Sequence, residues 1–136
     1  MQTYKPVKTA GDLMSFQQSY DAAHAAGMQA GQTVGVTPMV VQQHANMAND
    51  NSPVVQQWVV DEGVCGFAWV VIRPATSSFA RWLKKNNLGD KHYYGGIAVW
   101  VREFGQSMTR KEAYAQEFAT VLRSRGFDAH AESRMD

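Results

Sequence analysis

Between Val64 and Arg134 the spacing of apolar residues switches from two to about 3.6 and back, twice in succession. Val64 to Arg73 alternates and is rich in β-branched and aromatic residues, and Pro74 ends it. Thr76 or Ser77 can cap a helix reaching about Asn87, with Phe79, Trp82 and Leu83 on one side and Leu88-Gly89 as its stop. Ile97 to Phe104 is a further strand. Thr109-Arg110-Lys111-Glu112 then reads as a capping box, opening a helix with Tyr114, Phe118, Val121 and Leu122 on its apolar face. Gly126 supplies a left-handed stop, Phe127 folds back over the last turn, and Asp128 to Arg134 is the final strand. Two consecutive strand-helix-strand units predict an α+β, two-layer sandwich: a mixed or antiparallel sheet with two amphipathic helices on one face.

Upstream, a helix is expected over residues 9–31, because Leu13, Phe16, Tyr20, Ala23 and Gly27 recur at helical spacing. Its second half is dominated by small residues. Gly27, Gly31 and Gly35 would allow a close backbone approach, against a helix-propensity cost of about 1 kcal/mol each that favours fraying. Met39-Val40-Val41 reads as a short edge strand entered through Pro38, and residues 44–53 as a loop. Val54 to Val60 and Val64 to Arg73 are expected to pair as a hairpin through Asp61-Glu62-Gly63. The whole, residues 1–136, reads as a single domain with an N-terminal helix and a ββαβαβ core over 54–136.

Composition narrows the function classes. Apolar residues make up 45% of the chain, yet only Leu13, Leu83, Leu88 and Leu122 are leucine; aromatics at 11% take their place. A net charge of +1 argues against a basic nucleic-acid coat. That charge is unevenly laid out: no Lys or Arg occurs from Thr9 to Ile72, whereas Arg73 to Asp136 is basic, so an anionic partner should meet the C-terminal half. The N-terminus MQTYKPVK lacks an apolar core, so no secretory signal is expected, and no apolar run approaches the roughly 20 residues that span a bilayer. A single cysteine, Cys65, sits in an apolar run that should bury it, consistent with a reducing compartment.

Walker, GxGxxG, GxSxG, HExxH and CxxC patterns are all missing, and His24, His44, His92 and His130 are scattered. No cofactor or metal is expected. The helix starts at Thr76-Ser77-Ser78 and Ser107-Met108-Thr109 offer amides and hydroxyls to an anion, but ordinary capping explains them better. The more informative signal is the strand alternation. One set, including Ala68, Val70, Ile72, Ile97, Val99 and Ala129, suits contact with helices; the opposite set holds Cys65, Phe67, Trp69, Val71, Arg73, Ala98, Trp100, Arg102, Phe104, His130, Glu132 and Arg134. Phe67, Trp69, Arg73, Trp100, Arg102, His130, Glu132 and Arg134 are therefore the candidate ligand or interface residues. Three uses of that face compete: cover by the small-residue N-terminal helix, a homo-oligomer or protein interface, and a platform for a nucleotide or single-stranded nucleic acid. A small enzyme, with Glu132 or His130 moving a proton, is a variant of the third.

Short motifs in the C-terminal half, namely GVCGFAW at Gly63, YYGG at Tyr93, EFGQSM at Glu103, KEAYA at Lys111 and the terminal SRMD, resemble a group of small phage-encoded and environmental-sequence proteins. The resemblance covers about half the chain and transfers no catalytic residue. It implies a phage accessory or virion-associated protein, placed in the host cytoplasm or the virion, non-catalytic and acting through self-association or a protein partner rather than a membrane.

Overall fold

The computed structural model describes residues 10–35, 39–44, 54–60 and 63–136; for residues 10–14, 39–44 and 54–60 it describes the backbone alone. The elements run α1 (Ala10–Thr33), β1 (Met39–His44), β2 (Val54–Val60), β3 (Gly66–Arg73), α2 (Ser78–Lys85), β4 (Asp90–Lys91), β5 (Ile97–Trp100), α3 (Met108–Ser124) and β6 (Asp128–Met135). An antiparallel four-stranded sheet, in the order β4-β5-β3-β6, is the frame. The chain is thus α+β, with every strand pair antiparallel. The expected 44–53 loop lies outside the described residues beyond His44.

Strict alternation along β3 divides the sheet into two faces. Ala68, Val70 and Ile72 point to the helical side, where they join Ile97, Val99 and Ala129 under Phe79 and Leu83 of α2 and Phe118 and Leu122 of α3. All of these side chains are buried. At the carboxyl end of α3, Gly126 takes φ 92° and the Phe127 amide donates to the Leu122 carbonyl at 3.1 Å, so the Phe127 ring stacks on Phe79 with centroids 4.2 Å apart.

Helix α1 does not fray at its glycines and does not cross the aromatic face of the sheet. It lies against the other helices: Phe16 touches Phe79, Trp82 and Phe127, and Tyr20 touches Trp82 and Phe118. The small residues serve this docking. A β-carbon on Gly27 would come within 2.7 Å of the Tyr114 ring, and one on Gly31 would collide with the Phe104 ring. Arg110 closes the end of the helix by donating from Nη1 to the carbonyls of Gly31 at 2.8 Å and Gln32 at 3.2 Å. Close approach to two aromatic rings, rather than to a sheet, is what the glycine spacing encodes.

Four further expectations are corrected. The β2–β3 hairpin does not form, because β3 is the central strand and both its edges are taken, by β5 and β6; β2 pairs instead with β1. The strand expected to reach Phe104 ends at Trp100. A turn follows in which Phe104 takes φ 67°, and its ring faces Tyr114 with centroids 6.3 Å apart. The capping residue of α3 is Ser107, whose hydroxyl accepts from the Arg110 amide at 3.3 Å, while Glu112 accepts from the Ser133 hydroxyl at 3.0 Å instead of closing a box with Thr109. Cys65 is exposed, one residue ahead of β3, because the burial expected of an apolar run begins only where the sheet does.

Candidate functional site

The face turned away from the helices carries aromatic and charged side chains in fixed register. Trp69 stands between Trp100 on β5 and Glu132 on β6, Phe67 lies opposite Arg134, Val71 lies between Ala98 and His130, and Arg73 opposes Asp128. The two indoles are in contact, with ring centroids 4.7 Å apart. Cross-strand aromatic pairs of this kind hold register as well as area.

Beside them the hairpin between β4 and β5 adds a second wall. The His92 amide donates to the Gly96 carbonyl at 3.0 Å and the Gly95 amide to the His92 carbonyl at 3.1 Å, with both glycines at positive φ. Gly96 is doubly constrained, since a β-carbon there would also meet the Ile72 carbonyl oxygen at 2.7 Å. The turn exposes Tyr93 and Tyr94 at 87% and 81% and turns His92 inward over Trp69, with ring centroids 6.4 Å apart. His92 Nδ1 lies 3.3 Å from the Tyr94 amide and 3.2 Å from the Gly95 carbonyl oxygen, which fixes the ring in the turn, and Nε2 lies 3.3 Å from Glu132 Oε1. The same oxygen accepts from the Trp69 indole N–H at 2.9 Å. One carboxylate oxygen therefore orients an indole and an imidazole at once.

The result is an open groove of about 800 Å³ that crosses the sheet from Lys91 on β4 to Arg134 on β6, floored by Trp69, Trp100 and Glu132 and walled by His92, Tyr93 and Tyr94. Phe67 buttresses its end: the Arg134 guanidinium carbon and the Lys111 ammonium each lie 5.5 Å from its ring centre, and Trp100 meets it edge-on at 6.5 Å.

Of the eight candidate residues, Trp69, Trp100, Glu132 and Arg134 line this groove and Phe67 supports it. Arg73 and His130 share the face but lie farther along β3 and β6, where the His130 ring nitrogen Nε2 sits 2.7 Å from Asp128 Oδ1. Arg102 falls beyond the end of β5, its amide donating to Glu103 Oε1 at 3.0 Å, and it is not part of the groove. Sequence reasoning missed Lys91 and His92. The signal available for both was the Gly95-Gly96 pair that closes the turn holding them.

A second polar cluster lies under α1. The Tyr114 hydroxyl and His24 Nδ1 share a hydrogen bond of 2.6 Å, Glu103 Oε2 is 3.9 Å from the same nitrogen, and the Tyr20 ring stacks parallel to His24. Burial first, then the negative Glu103 and neighbouring Tyr20, push the Tyr114 phenol far above its ordinary pKa. Tyr20 is raised in the same direction by burial, Glu103 and Asp21, against a smaller lowering by Arg102. Packed between helices, this cluster serves docking.

Both helix starts weighed as anion sites use their free amides for caps, Ser77 accepting from the Ala80 amide and Ser107 from that of Arg110. Among the described residues no group of three or more His, Cys, Asp or Glu side chains is placed to hold a metal ion, and no helix is long and apolar enough to cross a membrane. In comparisons with family models, curated proteins and solved structures, none matches the chain.

Proposed function

We propose that the chain is a non-catalytic accessory protein of the phage or virion-associated type, which works as a homo-oligomer and offers the open sheet face to protein. The observation that carries this reading is the aromatic groove, which no other element covers among the described residues. The helix that could have covered it is docked on α2 and α3, leaving Trp100 at 38% exposure beside Tyr93 and Tyr94. Contiguous aromatic surface rimmed by Arg and Lys matches the composition of protein interfaces, where Trp, Tyr and Arg dominate binding energy. Glu132 is anchored by Trp69 and His92 as an orienting group, and the Ser133 hydroxyl in the groove lining is donated to Glu112. Gel filtration with light scattering tests self-association: the expected mass is a multiple of the 15.1 kDa chain, and a strict monomer at all concentrations overturns it. Iodide quenching of tryptophan emission tests the face, since partner binding should shield Trp100.

A second reading has its own support, because Lys91 and Arg134 flank the paired indoles at opposite edges of the sheet. Bases stacked on Trp100 and Tyr94 with phosphates on those cations would make the groove a single-stranded nucleic-acid platform. The carboxylate in the floor opposes a polyanion, which places this reading second. Titration with a single-stranded oligonucleotide at two salt concentrations separates the two, since nucleic-acid affinity must fall steeply with salt.

A further inference from the structure

We propose that two copies of this chain join edge to edge along β6, antiparallel and centred on Ala131, into one continuous sheet. The inference rests on the self-association reading above and gives it a geometry. Strand β6 is the outer strand of its sheet and, among the described residues, pairs with β3 alone. In an extended strand alternate residues direct both backbone groups to the same edge. The Asp136 amide donates to the Cys65 carbonyl at 3.1 Å, on the β3 side, whereas the Ala129 carbonyl accepts from Arg123 Nη1 at 2.7 Å on the other. Even-numbered residues of β6 therefore bond to β3, and Ala131 and Ser133 present N–H and C=O groups outward, as does Ala129, whose carbonyl would share its acceptance between Arg123 and a partner amide. Such an edge is a template for another strand.

Charge selects the register. The side chains of Asp128, His130, Glu132 and Arg134 all stand on the open face and are 56%, 56%, 39% and visibly solvent-exposed respectively. With the two-fold axis at Ala131, Asp128 opposes Arg134 of the second copy and His130 opposes its Glu132. Moving the axis to Glu132 sets two carboxylates directly against each other, and moving it to His130 sets Asp128 against Glu132; like charges directly opposite are destabilising. On the helical side the Ala131-centred register sets Ala131 against Ala131 and Ala129 against Ser133, with Met135 at the strand end directed toward Phe127 of the second copy. Centring on Ser133 would also pair Glu132 with Arg134 but engages only Ala131 to Met135 of the strand, whereas the Ala131-centred alignment engages Asp128 to Arg134. The two grooves would meet through their Arg134 ends, giving a partner a doubled, continuous face.

Sedimentation velocity across a concentration series tests this with three variants. Arg134→Asp places a carboxylate opposite Asp128 at both ends of the paired strands and should weaken the dimer about tenfold or more. Asp128→Arg combined with Arg134→Asp restores the pairing with its sense reversed and should return the dimer to near the wild-type value. Ala131→Pro removes an outward amide, leaves the circular dichroism spectrum native, and should abolish dimerisation. If Ala131→Pro unfolds, the charge exchange decides alone. A wild-type dimer indifferent to these variants, or a double variant no better than the single, overturns the β6 register while self-association stands. A wild type that stays monomeric overturns both.

Discussion

Tyr114 and His24 are joined by a 2.6 Å hydrogen bond between α3 and α1, formed beneath the only histidine-bearing stretch of the long helix. That bond, and the glycines on the turns that follow it, decide that α1 lies against helices and leaves the sheet face open. The docking of α1 is therefore the structural condition for any activity of the groove, and it can be tested by itself.

Tyr114→Phe keeps the buried ring and removes the bond to His24. A loss of about 1 kcal/mol in urea denaturation is expected. The pH profile carries a second signature. Because the folded state holds the Tyr114 phenol above its ordinary value of 10.0, the folded protein binds the proton more tightly than the unfolded chain. Stability is fully present below pH 10 and falls as pH rises beyond it, and Tyr114→Phe should flatten that fall, leaving the smaller contribution of Tyr20.

Gly31→Ala should destabilise the fold by about 1 to 3 kcal/mol despite the better helix propensity of alanine, because the new methyl group collides with the Phe104 ring and reaches the Arg110 carbonyl at 3.1 Å. Gly35→Ala, where nothing lies within 4 Å, is the control and should be close to neutral. Thermal denaturation of the two variants distinguishes close packing from backbone entropy.

Ser107→Ala should lower stability by about 1 kcal/mol through loss of the α3 cap, while Thr109→Ala, one turn position inside the helix, should change it by less than about 0.5 kcal/mol. The reverse order in chemical denaturation would return the cap to the threonine.

Glu132→Ala removes the acceptor shared by Trp69 and His92. Tryptophan emission should shift as the Trp69 indole loses its partner, and stability should drop by about 1 kcal/mol. Glu132→Gln, which retains an acceptor oxygen, should recover most of the loss.

The two faces of the sheet could be read from the chain because strand alternation is strict: Phe67, Trp69, Trp100, Glu132 and Arg134 stand on the side that period two assigns them. Pairing could not be read in the same way. Proximity in sequence favoured β2 with β3, but closing the longer connection between β1 and β2 adds little entropy, and β3 is claimed on both edges by strands that complete the core. The helix-spaced glycines announced a close approach without saying to what, since a ring and a strand both fit a bare backbone. His92 escaped notice because its place depends on a turn whose hydrogen bonds, not its sequence spacing, aim the ring.

The contact between Trp69 and Trp100 also makes the groove optically legible. Two indoles at 4.7 Å couple their electronic transitions, so the near-ultraviolet circular dichroism of this protein should be dominated by a signal arising from the floor of the groove. Any occupant that slides between or over those rings would disturb that signal, and the molecule carries an unlabelled reporter at the one surface whose ligand is sought.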